Sequence, residues 1–205
     1  MSSAHGTHDL GLGETEPVAS PRIALPDPPL TDARAGIVLR PWSTTESDVV
    51  ALVAAWSDPV LAAADRVPDD VSAVSALRWI RGDARRRTAG RCLDLVISPL
   101  RPLHGDDTVL GEVGLRNIDR RRRRAELSWW TAAEHRGRRL ASTATRLLAD
   151  WALAPGGMDL VQVWARIDPG NTASRRVAGD AGLHELGVAD GTQVWGRARA
   201  AATGE

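Results

Sequence analysis

The chain has no lysine, no tyrosine and no phenylalanine among its 205 residues. That absence removes lysine and tyrosine from every catalytic role. All 26 basic residues are therefore arginines, and 26 acidic residues bring the formal net charge to zero. A balanced charge implies no global attraction to nucleic acid or to a membrane. The single cysteine, Cys92, rules out an internal disulfide framework and suits a reducing, cytoplasmic setting. It follows Arg91 at the start of a strand pattern and reads as a buried structural thiol rather than a nucleophile. No stretch has the length of a transmembrane helix, and residues 1–20 lack the apolar core of a signal peptide. His5 and His8 have no third ligand nearby, and no His/Cys/Asp cluster shows ligand spacing, so no metal is expected.

What is present suffices for one core. Hydrophobic residues make up 43% of the chain, with eight tryptophans as the only aromatics. The length fits one domain with an additional tail. Residues 1–35, rich in Gly, Pro, Ser, Thr and acidic side chains, read as a mobile tail or an arm on the surface. The domain is expected over residues 36–200, with 201–205 frayed. It opens with a short strand, Ile37 to Pro41. Thr45 or Ser47 caps a helix through Trp56, and a second helix follows Asp69 or Asp70. That second helix buries Val71, Val74, Leu77, Trp79 and Ile80 and is closed by Arg85–Arg87. Strands are expected at 91–98, 108–118, 125–131 and 160–167, and a closing hairpin at 184–188 and 192–198. The early strands form an antiparallel meander.

The informative stretch is Ala125 to Ala154. Its first part has the period of a strand, and its last part is apolar on one face of a helix from about Gly137 to Leu153. The residues that usually cap a helix start, Ser, Thr, Asp and Asn, do not occur from Ala132 to Ala141. A glycine set among Arg136, Arg138 and Arg139 stands there instead. Free N–H groups, the positive end of a helix dipole and guanidinium groups suit a phosphate or pyrophosphate. The alternative is a basic helix start facing water.

Arg136-Gly137-Arg138-Arg139-Leu140-Ala141, after a strand ending Trp129-Trp130-Thr131, resembles the coenzyme A pyrophosphate loop of the GNAT N-acetyltransferases. The family pattern is Gln/Arg-x-x-Gly-x-Gly/Ala, and Arg139 stands where its second glycine is usual. A second stretch, Asn171-x-x-Ser174-Arg175-Arg176-Val177 followed by Gly182-Leu183, is similar to the RimJ/RimL-like branch, as is the opening Leu39-Arg40-Pro41. The resemblance implies an α/β fold, a mixed, mostly antiparallel twisted sheet splayed at its central strand and flanked by helices. It also implies acetyl-coenzyme A as co-substrate, and direct acetyl transfer to a primary amine on a protein N-terminus or a small molecule. A homodimer is compatible with it.

By the same resemblance, Trp129, Trp130, Thr131, Arg136, Gly137, Arg138, Arg139, Leu140, Ala141 and Asn171 would hold the coenzyme. A backbone N–H from the central strand would polarise the thioester carbonyl. With no tyrosine available, Ser174 is the candidate proton donor to the departing thiolate. Asn171 and Ser174 have a local reading too, as a helix cap and its partner. Glu126, on the central strand, is the candidate to take the proton from the amine; the alternative is a strand carboxylate paired with a neighbouring arginine. Glu112 and His104 are weaker candidates.

The five arginines Arg120–Arg124 offer a ribosome- or RNA-binding alternative. No aromatic residues are interleaved to stack bases, and the run falls at a hairpin tip, so a solvated hairpin is preferred. A coenzyme-binding module without catalytic power is the other alternative, suggested by Arg139 and the missing tyrosine.

Overall fold

The computed structural model describes residues 22–62, 67–101 and 108–200. His5, His8 and His104 lie outside them. Eight strands form one sheet in the order β1-β2-β3-β4-β5-β6-β8-β7. They are β1 (Thr31–Asp32), β2 (Ile37–Pro41), β3 (Leu93–Pro99), β4 (Gly111–Asp119), β5 (Arg124–Thr131), β6 (Gln162–Ile167), β7 (His184–Ala189) and β8 (Thr192–Ala198). Every neighbouring pair is antiparallel except β5–β6. A parallel pair needs a crossover, and α5 (Leu140–Leu153) supplies it. The expected mixed, mostly antiparallel sheet is what the chain forms.

Helices cover both faces, which is why β3 is buried along nearly its whole length rather than at alternate residues. On one face Leu93, Leu95, Ile97, Val113, Leu115, Ala125, Leu127 and Val163 pack against Leu140, Ala144, Leu148 and Ala152 of α5. α6 (Thr172–Asp180) adds Ala178 to this core. On the other face Val96 and Val109 meet Trp42, α1 (Glu46–Ser57) through Leu52 and Trp56, and α3 (Ala73–Arg81) through Ala76 and Ile80. A short α2 (Pro59–Ala62) follows α1, and α4 (Asp83–Thr88) follows α3.

Local chemistry explains the boundaries. The Thr45 side chain caps α1 by accepting from the Asp48 N–H. Ser72, not Asp69 or Asp70, caps α3, while Asp70 accepts from the hydroxyls of Ser72 and Ser75. The buried set expected on α3 changes with it: Ala76 and Ile80 are buried, whereas Val71 and Val74 are exposed. Arg85–Arg87 do not close α3 but lie in α4, after a break at Gly82.

The residues expected as a tail are in part built into the fold. Ile23 is completely buried and its N–H donates to Arg87 O at 3.2 Å. Leu25 and Leu30 pack on the main core, and Thr31–Asp32 pair with β2. Short apolar residues between prolines were enough to fasten this arm. No helix among the described residues is long and apolar enough to cross a membrane.

Candidate active site

The sheet opens in its middle. β5 and β6 pair only over Arg124–Glu126 and Gln162–Trp164. The rest of β5 keeps only β4 as a partner, so a gap runs from Leu127 to Thr131 on the β6 side. The Ala132 N–H donates to Leu110 O at 3.0 Å. Alternation along the antiparallel ladder then turns the peptide groups of Glu126, Ser128 and Trp130 toward β4 and those of Trp129 and Thr131 into the gap. Of the three residues expected to offer backbone to a coenzyme, Trp130 is the exception. Its peptide belongs to the β4 ladder, and its indole packs near Trp42, with ring centroids 6.4 Å apart.

From the end of β5 the chain makes a 3-10 turn at Ala133–His135 and enters the arginine loop. Arg136 Nε donates to Thr131 O at 3.3 Å, and its guanidinium also pairs with Asp58 at the end of α1. Partial burial opposes charge on Asp58, yet the Val60 N–H and Arg136 hold its carboxyl below the usual range. Gly137 has φ +75°, and nothing lies within 4 Å of where a Cβ would stand. Arg138 reaches His135 Nδ1 at 3.2 Å.

Arg139 has φ 58° and ψ 17°, the left-handed conformation a glycine adopts freely, at a cost of roughly 1–2 kcal/mol for an arginine. The loop therefore keeps a glycine-like turn without the glycine. α5 starts at Leu140 rather than Gly137, and no side chain caps it. Its first helical bond runs from Thr143 N–H to Arg139 O, so the N–H groups of Leu140, Ala141 and Ser142 have no acceptor within the helix. Leu140 and Ala141 are buried, and what they offer is backbone.

Across the gap, Asn171 Oδ1 accepts from the Ser174 N–H at 2.9 Å and caps α6. Ser174 is half-buried and Asn171 exposed. The cap engages the backbone of Ser174 and leaves its hydroxyl a separate group.

The carboxylates lie on the face covered by α1, α3 and α4, in rows set by strand register. Asp94, Gly114 and Ser128 form one row, Val96, Glu112 and Trp130 the next toward the gap, and Arg116 and Glu126 the next away from it. Glu126 is buried where β5 and β6 are still closed, and Asn117 Nδ2 donates to it at 2.5 Å. Glu112 is 3% exposed and sits beside Trp130, level with the open part of β5. Trp42 Nε1 donates to its Oε2 at 2.9 Å, and Arg116 lies 3.5 Å from its Oε1. Burial, reinforced by the Asp94 carboxylate and opposed by Arg116 and the Trp42 N–H, pushes the Glu112 carboxyl up to about 8. Burial and the same Asp94 push the Cys92 thiol up to about 12, so Cys92 is no nucleophile at neutral pH.

Sequence reasoning ranked Glu112 below Glu126 and passed over Asp94, Arg116 and Trp42. One signal was available: Asp94 interrupts an otherwise apolar run, Leu93 to Ile97. Three arginines of the run have acidic partners. Arg122 and Arg124 lie within 4 Å of Asp119, and Arg123 and Arg199 both hold Asp159. No group of three or more metal-ligating side chains occurs among the described residues.

The family model described as the acetyltransferase (GNAT) domain matches residues 37–184. Over 92 residues the chain is 34% identical to YdaF of Bacillus subtilis, named provisionally as a ribosomal N-acetyltransferase. That match covers 44% of this chain and 49% of YdaF, so the chain spans about half the length of this curated relative. Among solved structures, Mycobacterium smegmatis RimJ in complex with a CoA disulfide superposes with a TM-score of 0.61 at 23% identity, covering 80% of this chain and 83% of RimJ. A ribosomal-protein-S5-alanine acetyltransferase from Vibrio fischeri gives 0.64 at 14% identity, covering 80% and 93%.

Proposed function

The chain belongs to the GNAT acetyltransferase family, and we propose that it moves an acetyl group from acetyl-coenzyme A to a primary amine by direct transfer. The observation that carries this reading is the gap beside β5, where the peptide groups of Trp129 and Thr131 open toward the uncapped start of α5. A pantetheine arm is a chain of amides and methylenes, and a strand edge unpaired on the β6 side is its natural partner. The pyrophosphate would meet the N–H groups from Gly137 to Ser142, the positive end of the α5 dipole and the loop arginines.

Acyl transfer needs a polarised carbonyl, a neutral amine and a proton for the leaving thiolate. A backbone N–H of Trp129 or Thr131 polarises the thioester carbonyl. Ser174 donates to the departing sulfur; a thiol with a pKa of about 8.5 leaves without strong acid help, so this donor accelerates more than it decides. Glu112 takes the proton from the attacking amine, a role that suits a buried carboxyl level with the open part of β5 whose proton affinity burial raises. Glu126 is the alternative acceptor, one row beyond Ser128.

The acceptor class is an amine on a protein N-terminus or a small molecule, and the ribosomal relatives make N-terminal peptides the first choice to screen. Calorimetric titration with acetyl-coenzyme A tests the reading: saturable one-to-one binding is expected, and no binding at high coenzyme concentration would overturn it.

A further inference from the structure

The polar face of the sheet holds more charge than one proton acceptor requires, and its geometry is specific. Arg116 comes from β4, four residues after Glu112, and its side chain is one-third exposed. It lies 3.5 Å from Glu112 Oε1 and 3.7 Å from Asp94 Oδ1, between two buried carboxylates. The other oxygen of Glu112 is held by Trp42. Asp94 reaches this point because residue 114 is glycine: a Cβ there would stand 2.8 Å from Asp94 Oδ1 and 3.1 Å from Leu93 O. The second oxygen of Asp94 accepts from the Cys92 thiol at 3.2 Å and faces Arg86 at 3.8 Å.

Among the other charges nearby, Asp48 of α1 pairs with Arg40 and Glu126 of β5 is held by Asn117, while Asp83 of α4 faces Arg87 and shares Arg86 with Asp94. Asp94 and Arg116 are thus the two charges set directly against Glu112, with opposite signs.

We infer that Asp94 and Arg116 are positioning residues that act through Glu112, fixing its protonation state and so the pH range in which the site accepts a proton from an amine. The inference rests on the acetyl-transfer reading for its functional meaning. Its electrostatics follow from the cluster alone. A positive guanidinium at 3.5 Å favours the ionised carboxyl, and a second carboxylate on the far side of that guanidinium disfavours it. In transfer, the amine N–H bond breaks as the proton passes to a Glu112 oxygen, the nitrogen lone pair forms the C–N bond, and the C–S bond breaks with its electron pair leaving on sulfur as the coenzyme thiolate. Glu112 must be ionised beforehand, so the residues that set its charge set the onset of turnover with pH.

The test needs a readout that a purely structural role would not move. Side-chain carboxyl signals of carbon-13 glutamate-labelled protein are titrated by NMR, with Glu112 identified by the signal lost in Glu112→Gln. Arg116→Gln should raise the Glu112 midpoint and Asp94→Asn should lower it, each by about one pH unit. The acid limb of kcat/KM should follow in the same directions. Arg116→Lys keeps the charge and should restore the midpoint, which separates electrostatics from packing if Arg116→Gln is poorly folded. A midpoint that stays put in both charge variants overturns the inference. A midpoint that moves while the kinetic limb does not overturns Glu112 as proton acceptor. Acetyl-coenzyme A binding, measured on the same samples, reports separately on the transfer reading itself.

Discussion

The two faces of the central sheet are built from alternate residues of the same strands, yet they differ in kind. Leu93, Leu95, Ile97, Val113, Leu115 and Leu127 face α5 and form a core without charge. Asp94, Glu112, Arg116, Glu126 and Ser128, their immediate neighbours in sequence, face α1, α3 and α4 among tryptophans. Apolar burial stabilises a domain by roughly 25 cal/mol per Å². Buried ionisable groups oppose folding unless paired, and on this sheet they lie on the face of α1, α3 and α4. One face is an uncharged core; the other packs a second, tryptophan-rich core around buried ionisable groups, at some expense in stability.

The comparison is broken most sharply at Glu112. Glu112→Gln should lower acetyl transfer by roughly 10²–10⁴-fold, the usual worth of a general base. It should also stabilise the protein at neutral pH. Burial pushes the native carboxyl up to about 8, above the ordinary glutamate range of an unfolded chain, so between the two the folded chain binds a proton that the unfolded chain does not. Stability contributed by this group is therefore lost as pH rises through that window. Melting temperatures measured from pH 5 to 8 should fall more steeply for the wild type than for the variant, each kcal/mol being worth about 2–4 °C in a chain of this size.

Leu95→Ala probes the other face one residue from Asp94. It should cost about 2–5 kcal/mol in denaturant titrations, with little change in the pH dependence of activity in the folded fraction. A shifted pH profile would show that the faces are not independent.

Gly137→Val tests the opening rather than either face. No atom lies within 4 Å of an added Cβ, so the main folding cost is the positive φ, about 1–2 kcal/mol. Coenzyme affinity should fall roughly tenfold, about 1.4 kcal/mol, by calorimetry. Unchanged affinity would remove this loop from the coenzyme site. The smallest effect is expected from Ser174→Ala, because alanine keeps the N–H that Asn171 accepts. Turnover should fall severalfold, on the order of 1 kcal/mol, with coenzyme affinity and melting temperature unchanged. Unaltered turnover would leave Ser174 as part of a helix cap alone.

Much of this molecule is legible in its sequence, for local reasons. Alternation in β3, β4 and β5, helical spacing through Leu140, Leu147, Leu148 and Trp151, and the capping residues Thr45 and Asn171 all act within a few residues of themselves. The arginine loop was recognisable from its glycine and its missing cap. Less legible was anything that depends on a distant partner. Ile23 looks like part of a loose arm until the carbonyl of Arg87 and the core receive it. Val74 has the right spacing for burial on α3, yet it is exposed among the described residues.

By itself the sequence determined the order of the main strands and helices, the uncapped start of α5 and the family they identify, because periodicity, caps and turns are properties of contiguous residues. Only the tertiary structure decided that Glu112 sits level with the gap, that Gly114 leaves room for Asp94, and that Arg116 stands between the two carboxylates. Strand register brings those residues together. Proton affinity depends on burial and on charges a few ångströms away in space, and neither can be read from positions along a chain.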